Sequence, residues 1–107
     1  MAQIERGKVF LPDTMIEYAE GGIVSKEFIH TKGGSVTLFA FDKGQCLSEH
    51  SAPFDAMVAV IDGEPEIVID GQPHYPKAGE MLIMPANHPH AVNARTRFKM
   101  MLMMIRG

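Results

Sequence analysis

Two of the five histidines in this 107-residue chain sit in matched settings. His50 stands in Gly44-Gln-Cys-Leu-Ser-Glu-His50-Ser-Ala52-Pro-Phe-Asp-Ala56, which runs on to Gly63. His90 closes Gly79-Glu-Met-Leu-Ile-Met-Pro85-Ala-Asn87-His-Pro-His90. An imidazole with a reference pKa of about 6.5 can bind an anionic ligand, pass a proton or hold a metal ion. His88 lies two residues before His90, a spacing that puts both side chains on one face of an extended backbone, with Pro89 between them. By the same alternation Glu49 and Asp55 point away from the face that His50 occupies. His30 and His74 have no counterpart in either stretch and read as surface residues.

Other reactive side chains give weaker signals. Parity puts Cys46 on the face of His50, but four positions are about 13 Å along a strand, too far for a Cys–His nucleophile pair. It reads as an inert buried cysteine. Nine methionines, four of them in Met100-Met-Leu-Met-Met104, raise a copper site, because soft thioethers favour Cu(I). The run is contiguous rather than spaced like a ligand set, so it reads instead as a buried strand of adaptable side chains. The chain shows no Gly-rich phosphate loop, no Ser–His–Asp order and no paired-carboxylate motif.

The elements that must position the two histidines read as short strands, with turn signals about every ten residues, the spacing of an all-β sandwich or barrel. Strands are expected over 35–41, 57–61, 66–70, 81–84 and 98–105, with a single turn of helix within 13–20. Asp62-Gly63 and Asp70-Gly71 both carry the hairpin dipeptide, in which glycine accepts a positive φ. Parity puts Ala56, Val58 and Val60 on one face, with Met81 and Ile83 contributing from an opposing wall. Segments 56–61 and 100–105 are apolar on both faces, and a second subunit is the obvious cover, so a homodimer is expected.

Composition narrows the function classes. Charged residues make up 21% and hydrophobic residues 46%, which is ordinary for a globular protein. The net charge is −3 with no basic stripe, which argues against a nucleic-acid partner. Apolar runs reach only six residues, far below the roughly 20 that cross a bilayer as a helix. A polar N-terminus without a signal-like core points to a cytoplasmic protein, and one cysteine excludes a disulfide framework. No linker or repeat divides the sequence, so residues 1–107 are expected to form one domain.

The two glycine-bounded stretches resemble the motifs of the cupin superfamily, small jelly-roll barrels of the double-stranded β-helix type. In the first, residues 44–63, Gly44, His50, Ala52, Ala56 and Gly63 keep every spacing of Gly-X5-His-X-His-X3-Glu-X6-Gly. In the second, residues 79–94, Gly79, Pro85, Asn87, His90 and Ala94 keep the spacing of Gly-X5-Pro-X-Gly-X2-His-X3-Asn. Asn87 replaces a glycine, and both types tolerate the left-handed conformation. The resemblance implies a barrel pocket lined by His50 and His90. It also implies that the other two metal-ligand positions of the family are Ala52 and Ala56.

Three readings follow. The first is a barrel that binds a small organic ligand in a pocket of His50, His90, Ala52, Ala56, Val58, Met81 and Ile83. The second is an enzyme, either metal-free with a histidine as acid–base catalyst or a metal-dependent one of the oxygenase or isomerase type. In the metal-dependent form a divalent Zn, Ni, Fe or Mn ion sits on His50 and His90 with a replacement ligand such as His88. The third is a packed barrel whose business is dimerisation.

Overall fold

The structure, a computed structural model, describes residues 4–106. A four-residue 3-10 helix, Pro12–Met15, precedes nine strands. These are β1 (Ile23–Thr31), β2 (Gly34–Phe41), β3 (Cys46–His50), β4 (Ala56–Asp62), β5 (Glu66–Ile69), β6 (Gln72–His74), β7 (Met81–Met84), β8 (His90–Asn93) and β9 (Phe98–Ile105). They form two antiparallel sheets, ordered β1-β2-β9-β4-β7 and β3-β8-β5-β6. The all-β jelly-roll expectation holds, and β1, β6 and β8 are strands outside the expected ranges.

The main core lies between the sheets. Ala56, Val58 and Val60 of β4 face Ile67 and Ile69 of β5 and Val92 of β8, and Phe41 stacks on Phe98 with centroids 4.5 Å apart. Segment β9 runs through the middle of the larger sheet, bonded to β2 on one side and β4 on the other. That central place explains why its sequence is apolar on both faces. Met100, Leu102 and Met104 face the main core, while Met101 turns to the outer side of the sheet.

The outer side is covered in part by the chain itself. Ile16 packs with Phe28, Leu38 and Ala40 in a second buried cluster, joined by Ile4, Met15, Tyr18 and Met101. The segment is pinned by Lys99, whose Nζ donates to the Asp13 carbonyl at 2.8 Å and to its Oδ1 at 2.9 Å. Lys99 is buried, so these bonds and the Tyr18 ring 5.0 Å away replace its water. Apolar residues on two faces of a strand are therefore accounted for, over this half of the sheet, without a second subunit.

The two Asp-Gly dipeptides part company. Asp70 and Gly71 have φ of 52° and 77° and close a tight hairpin between β5 and β6, as expected. Asp62-Gly63 does not make a hairpin, because β4 and β5 belong to different sheets. There the glycine serves close approach: with φ at 77°, an added Cβ would lie 2.0 Å from the Arg97 carbonyl oxygen. At Gly71 the same positive φ meets open space.

Gly63→Ala is expected to lower stability by roughly 3 kcal/mol, combining backbone strain with the clash, whereas Gly71→Ala costs roughly 1 kcal/mol from strain alone. Urea unfolding of both variants checks this. Equal midpoints would contradict the close packing at Gly63.

Candidate functional site

Antiparallel pairing of β3 with β8 sets His50 directly opposite His90. Their rings meet edge to face with centroids 4.4 Å apart, and the two Nε2 atoms lie 3.2 Å from each other. His90 is buried, and His50 is exposed at the rim. The register slips between Leu47 and His50, so these two residues, three apart in sequence, both line one cavity. The slip breaks the simple alternation that placed Cys46 on the face of His50. Cys46 is exposed, not buried.

The cavity has a volume of about 50 Å³. Ala52, Phe54 and Ala56 line it from the first glycine-bounded stretch, Met84 and His90 from the second, and Met100, Leu102 and Met104 from β9. Apart from the two imidazoles, every lining side chain is apolar. The loops that bound it are tied to each other: Asn87 N donates to the Ala52 carbonyl at 2.7 Å, and Ala86 N donates to Asp55 Oδ1 at 2.8 Å. Asn87 does take the positive φ, 65°, expected at a position where the family pattern has glycine.

Several expected pocket residues stand elsewhere. Val58 is fully buried in the main core but does not line the cavity. Met81 and Ile83 are more than half exposed, at 57% and 54%. Their register explains it: Ile83 pairs with Met57 and Met81 with Ala59, and both partners face away from the core. The inward residues of that strand are Leu82 and Met84, the opposite parity to Met81 and Ile83. Met100, Leu102 and Met104 were missed as lining residues, although strict alternation along the last strand would have marked them.

His88 does not join the pair. Its ring turns out to Asp70, Nδ1 to Oδ2 2.7 Å, and is half exposed. It serves the site through its backbone instead, since the His88 carbonyl accepts from His90 Nδ1 at 3.3 Å. The Ser48 carbonyl accepts likewise from His50 Nδ1 at 2.9 Å.

These bonds fix the tautomers. A carbonyl oxygen only accepts, so each Nδ1 carries its proton, and each neutral ring presents an Nε2 lone pair. Two lone pairs facing each other at 3.2 Å repel unless something positive or a donor lies between them. The pair is thus built to take one proton, one cation or one donor group. A second proton is opposed: burial first, and then the charge of His50, hold His90 below its ordinary value of 6.5, while the His88 carbonyl acts in the opposite sense.

The comparisons with known proteins bear on this site. A family model described as a cupin domain matches residues 37–106. The chain belongs to the cupins. A cupin 2 conserved barrel domain protein from Leptotrichia buccalis is 45% identical over 87% of this cupin, with a TM-score of 0.83. This cupin spans 45% of that longer chain. A conserved protein of unknown function from Streptococcus pyogenes is 32% identical over 100% of this chain and 96% of its own, with a TM-score of 0.92. A cupin superfamily protein from Desulfitobacterium hafniense shares the fold at 24% identity, covering 99% and 97%, with a TM-score of 0.91. No curated protein matches closely enough to lend the chain an activity.

Cupins commonly bind a transition metal, and the four-ligand site of the family does not fit here. Ala52 and Ala56 offer no donor, and among the described residues no three His, Cys, Asp or Glu side chains converge. The divalent-metal enzyme expected with His88 as third ligand therefore loses that ligand.

In a proton NMR titration the His90 ring should show a midpoint below 6.5, and His50→Ala should raise it only partway, because burial remains. The linkage sign follows: a folded value below the unfolded one gives stability that is complete above about pH 6.5 and is lost as pH falls through the folded value. A His90 midpoint at or above 6.5 would contradict the desolvated ring.

Proposed function

We propose that this cupin binds a small organic ligand in its barrel, with an apolar body among Leu47, Phe54, Met84 and Leu102 and a polar head on the histidine pair. The observation that carries this reading is the pair itself: two Nε2 atoms, with both Nδ1–H groups already committed, at the wall of an otherwise apolar cavity. Apolar walls with a few convergent polar groups are the general form of a small-molecule site. A carboxylate that enters together with one proton, or a phenol whose O–H donates to an Nε2 lone pair, is the head that fits. At about 50 Å³ the cavity holds a group the size of a few waters, so a larger body enters as flexible methionines repack.

The test is a fragment screen of small aliphatic and aromatic carboxylates, followed by backbone and imidazole NMR. Binders should shift His50, His90 and Leu47 resonances, and His50→Ala and His90→Ala should each weaken binding at least tenfold. Binders that perturb other surfaces only, or that are indifferent to both substitutions, would remove the reading.

We also infer that the chain pairs with a second copy through the half of the larger sheet that its own N-terminal segment leaves open. Met57, Ile83, Met103 and Ile105 line a groove there, and Met81 stands exposed beside it. A two-fold axis lays such an apolar strip on itself, which makes a self-complementary interface. Light scattering at micromolar concentration should give twice the mass of one chain, and Ile83→Lys with Met103→Lys should give the mass of one. A wild-type mass of one chain would count against the dimer.

A further inference from the structure

We propose that the barrel cavity is a site for a soft monovalent cation, Cu(I), held between His50 Nε2 and His90 Nε2 and capped by a methionine thioether. The proposal rests on the histidine pair as the binding locus and names the ion that this donor set selects.

Geometry comes first. Metal–imidazole bonds are about 2.0 Å long, so two nitrogens 3.2 Å apart subtend roughly 105° at a shared ion. That angle belongs to three- or four-coordinate ions and leaves room for further ligands on the cavity side. Both rings already donate Nδ1–H to a backbone carbonyl, the arrangement that fixes the tautomer of metal-binding histidines. No side chain needs to turn over to receive the ion.

The remaining donors decide which ion. Met84, Met100 and Met104 line the same cavity, one from β7 and two from β9. No carboxylate, hydroxyl or thiol lines it, and the positions where a hard oxygen ligand would stand are Ala52 and Ala56. Thioether and imidazole together suit Cu(I), whereas oxygen-seeking ions would have to keep their waters in an apolar space. Charge acts in the same direction. A monovalent ion puts into this cavity the single positive charge that a proton on the pair would bring, while a divalent ion doubles it among neutral donors.

The contiguous methionine run thus divides by strand parity. Met100 and Met104 face the cavity, and Met101 and Met103 face outward, so a run without ligand spacing in sequence acquires it once β9 is folded. A thioether is also redox-inert under the reducing conditions that keep copper monovalent. Binding is the whole of the proposal, with no electron transfer implied.

The test uses the full chain under anaerobic conditions, titrated with Cu(I) against the chromophoric chelator bicinchoninate. Ag(I) serves as a stand-in during NMR of methyl-labelled methionine. Expected are one equivalent of Cu(I) withheld from the chelator and Ag(I)-induced shifts at the methyls of Met84, Met100 or Met104, with Met57, Met81 and Met103 unmoved. His50→Ala and His90→Ala should abolish retention. Single Met84→Leu, Met100→Leu and Met104→Leu variants keep side-chain volume, and at least one should weaken Cu(I) binding tenfold or more, a larger loss than it causes in carboxylate binding. Zn(II) affinity should fall at least a hundredfold below that for Cu(I).

Failure to withhold Cu(I), or retention unaltered in all three leucine variants, overturns the copper site. If His-dependent carboxylate binding persists in that case, the pocket reading stands without it. Indifference of both ligands to His50→Ala and His90→Ala removes both.

Discussion

The register between β3 and β8 sets everything else at the site. Had β8 paired one residue along, His90 would leave the cavity for the opposite face and His50 would face a different partner. The slip between Leu47 and His50 is part of that setting, because it brings an apolar residue and an imidazole three positions apart onto the same wall. Around this pairing the two loops are laced by Asn87 and Asp55, so the mouth of the cavity is held by one backbone bond and one bond to the Asp55 carboxylate. A cupin that has given up two ligand positions keeps its pocket shape by these means.

Much of the scaffold was legible in the sequence because glycines and prolines mark where the backbone must turn. The spacing of Gly44, His50 and Gly63 against Gly79, Pro85 and His90 named the fold, and Asp70-Gly71 named a hairpin. What stayed hidden depends on which strand lies beside which. Asp62-Gly63 looks the same as Asp70-Gly71 in one dimension, yet it passes the chain from one sheet to the other. Met81 and Ile83 were placed inward by an arbitrary choice of parity, which only their pairing with Ala59 and Met57 resolves. Cys46 lost its alternation to a bulge, and His88 lost its place to the turn before β8, where Asp70 holds its ring outward.

The site shows how removing donors changes a pocket's chemistry without emptying it. Alanines at 52 and 56 leave two borderline nitrogens among thioethers and hydrocarbon, a surrounding that opposes a second positive charge more than a first. Burial of His90 and exposure of His50 divide the pair into a fixed inner partner and an accessible outer one.

The order of strands in the larger sheet also bears on how the chain is made. Strands β2 and β4 are neighbours only through β9, so both carry an unpaired edge until residues 98–105 emerge from the ribosome. Lys99 adds to the delay, since its bond to Asp13, 86 positions away, cannot pin the N-terminal segment before it arrives. The smaller sheet, whose members β3, β8, β5 and β6 all lie between residues 46 and 93, can close earlier. Synthesis therefore yields a half-built sandwich with two sticky edges. The interval before the last strand appears is when a holdase chaperone has most to cover.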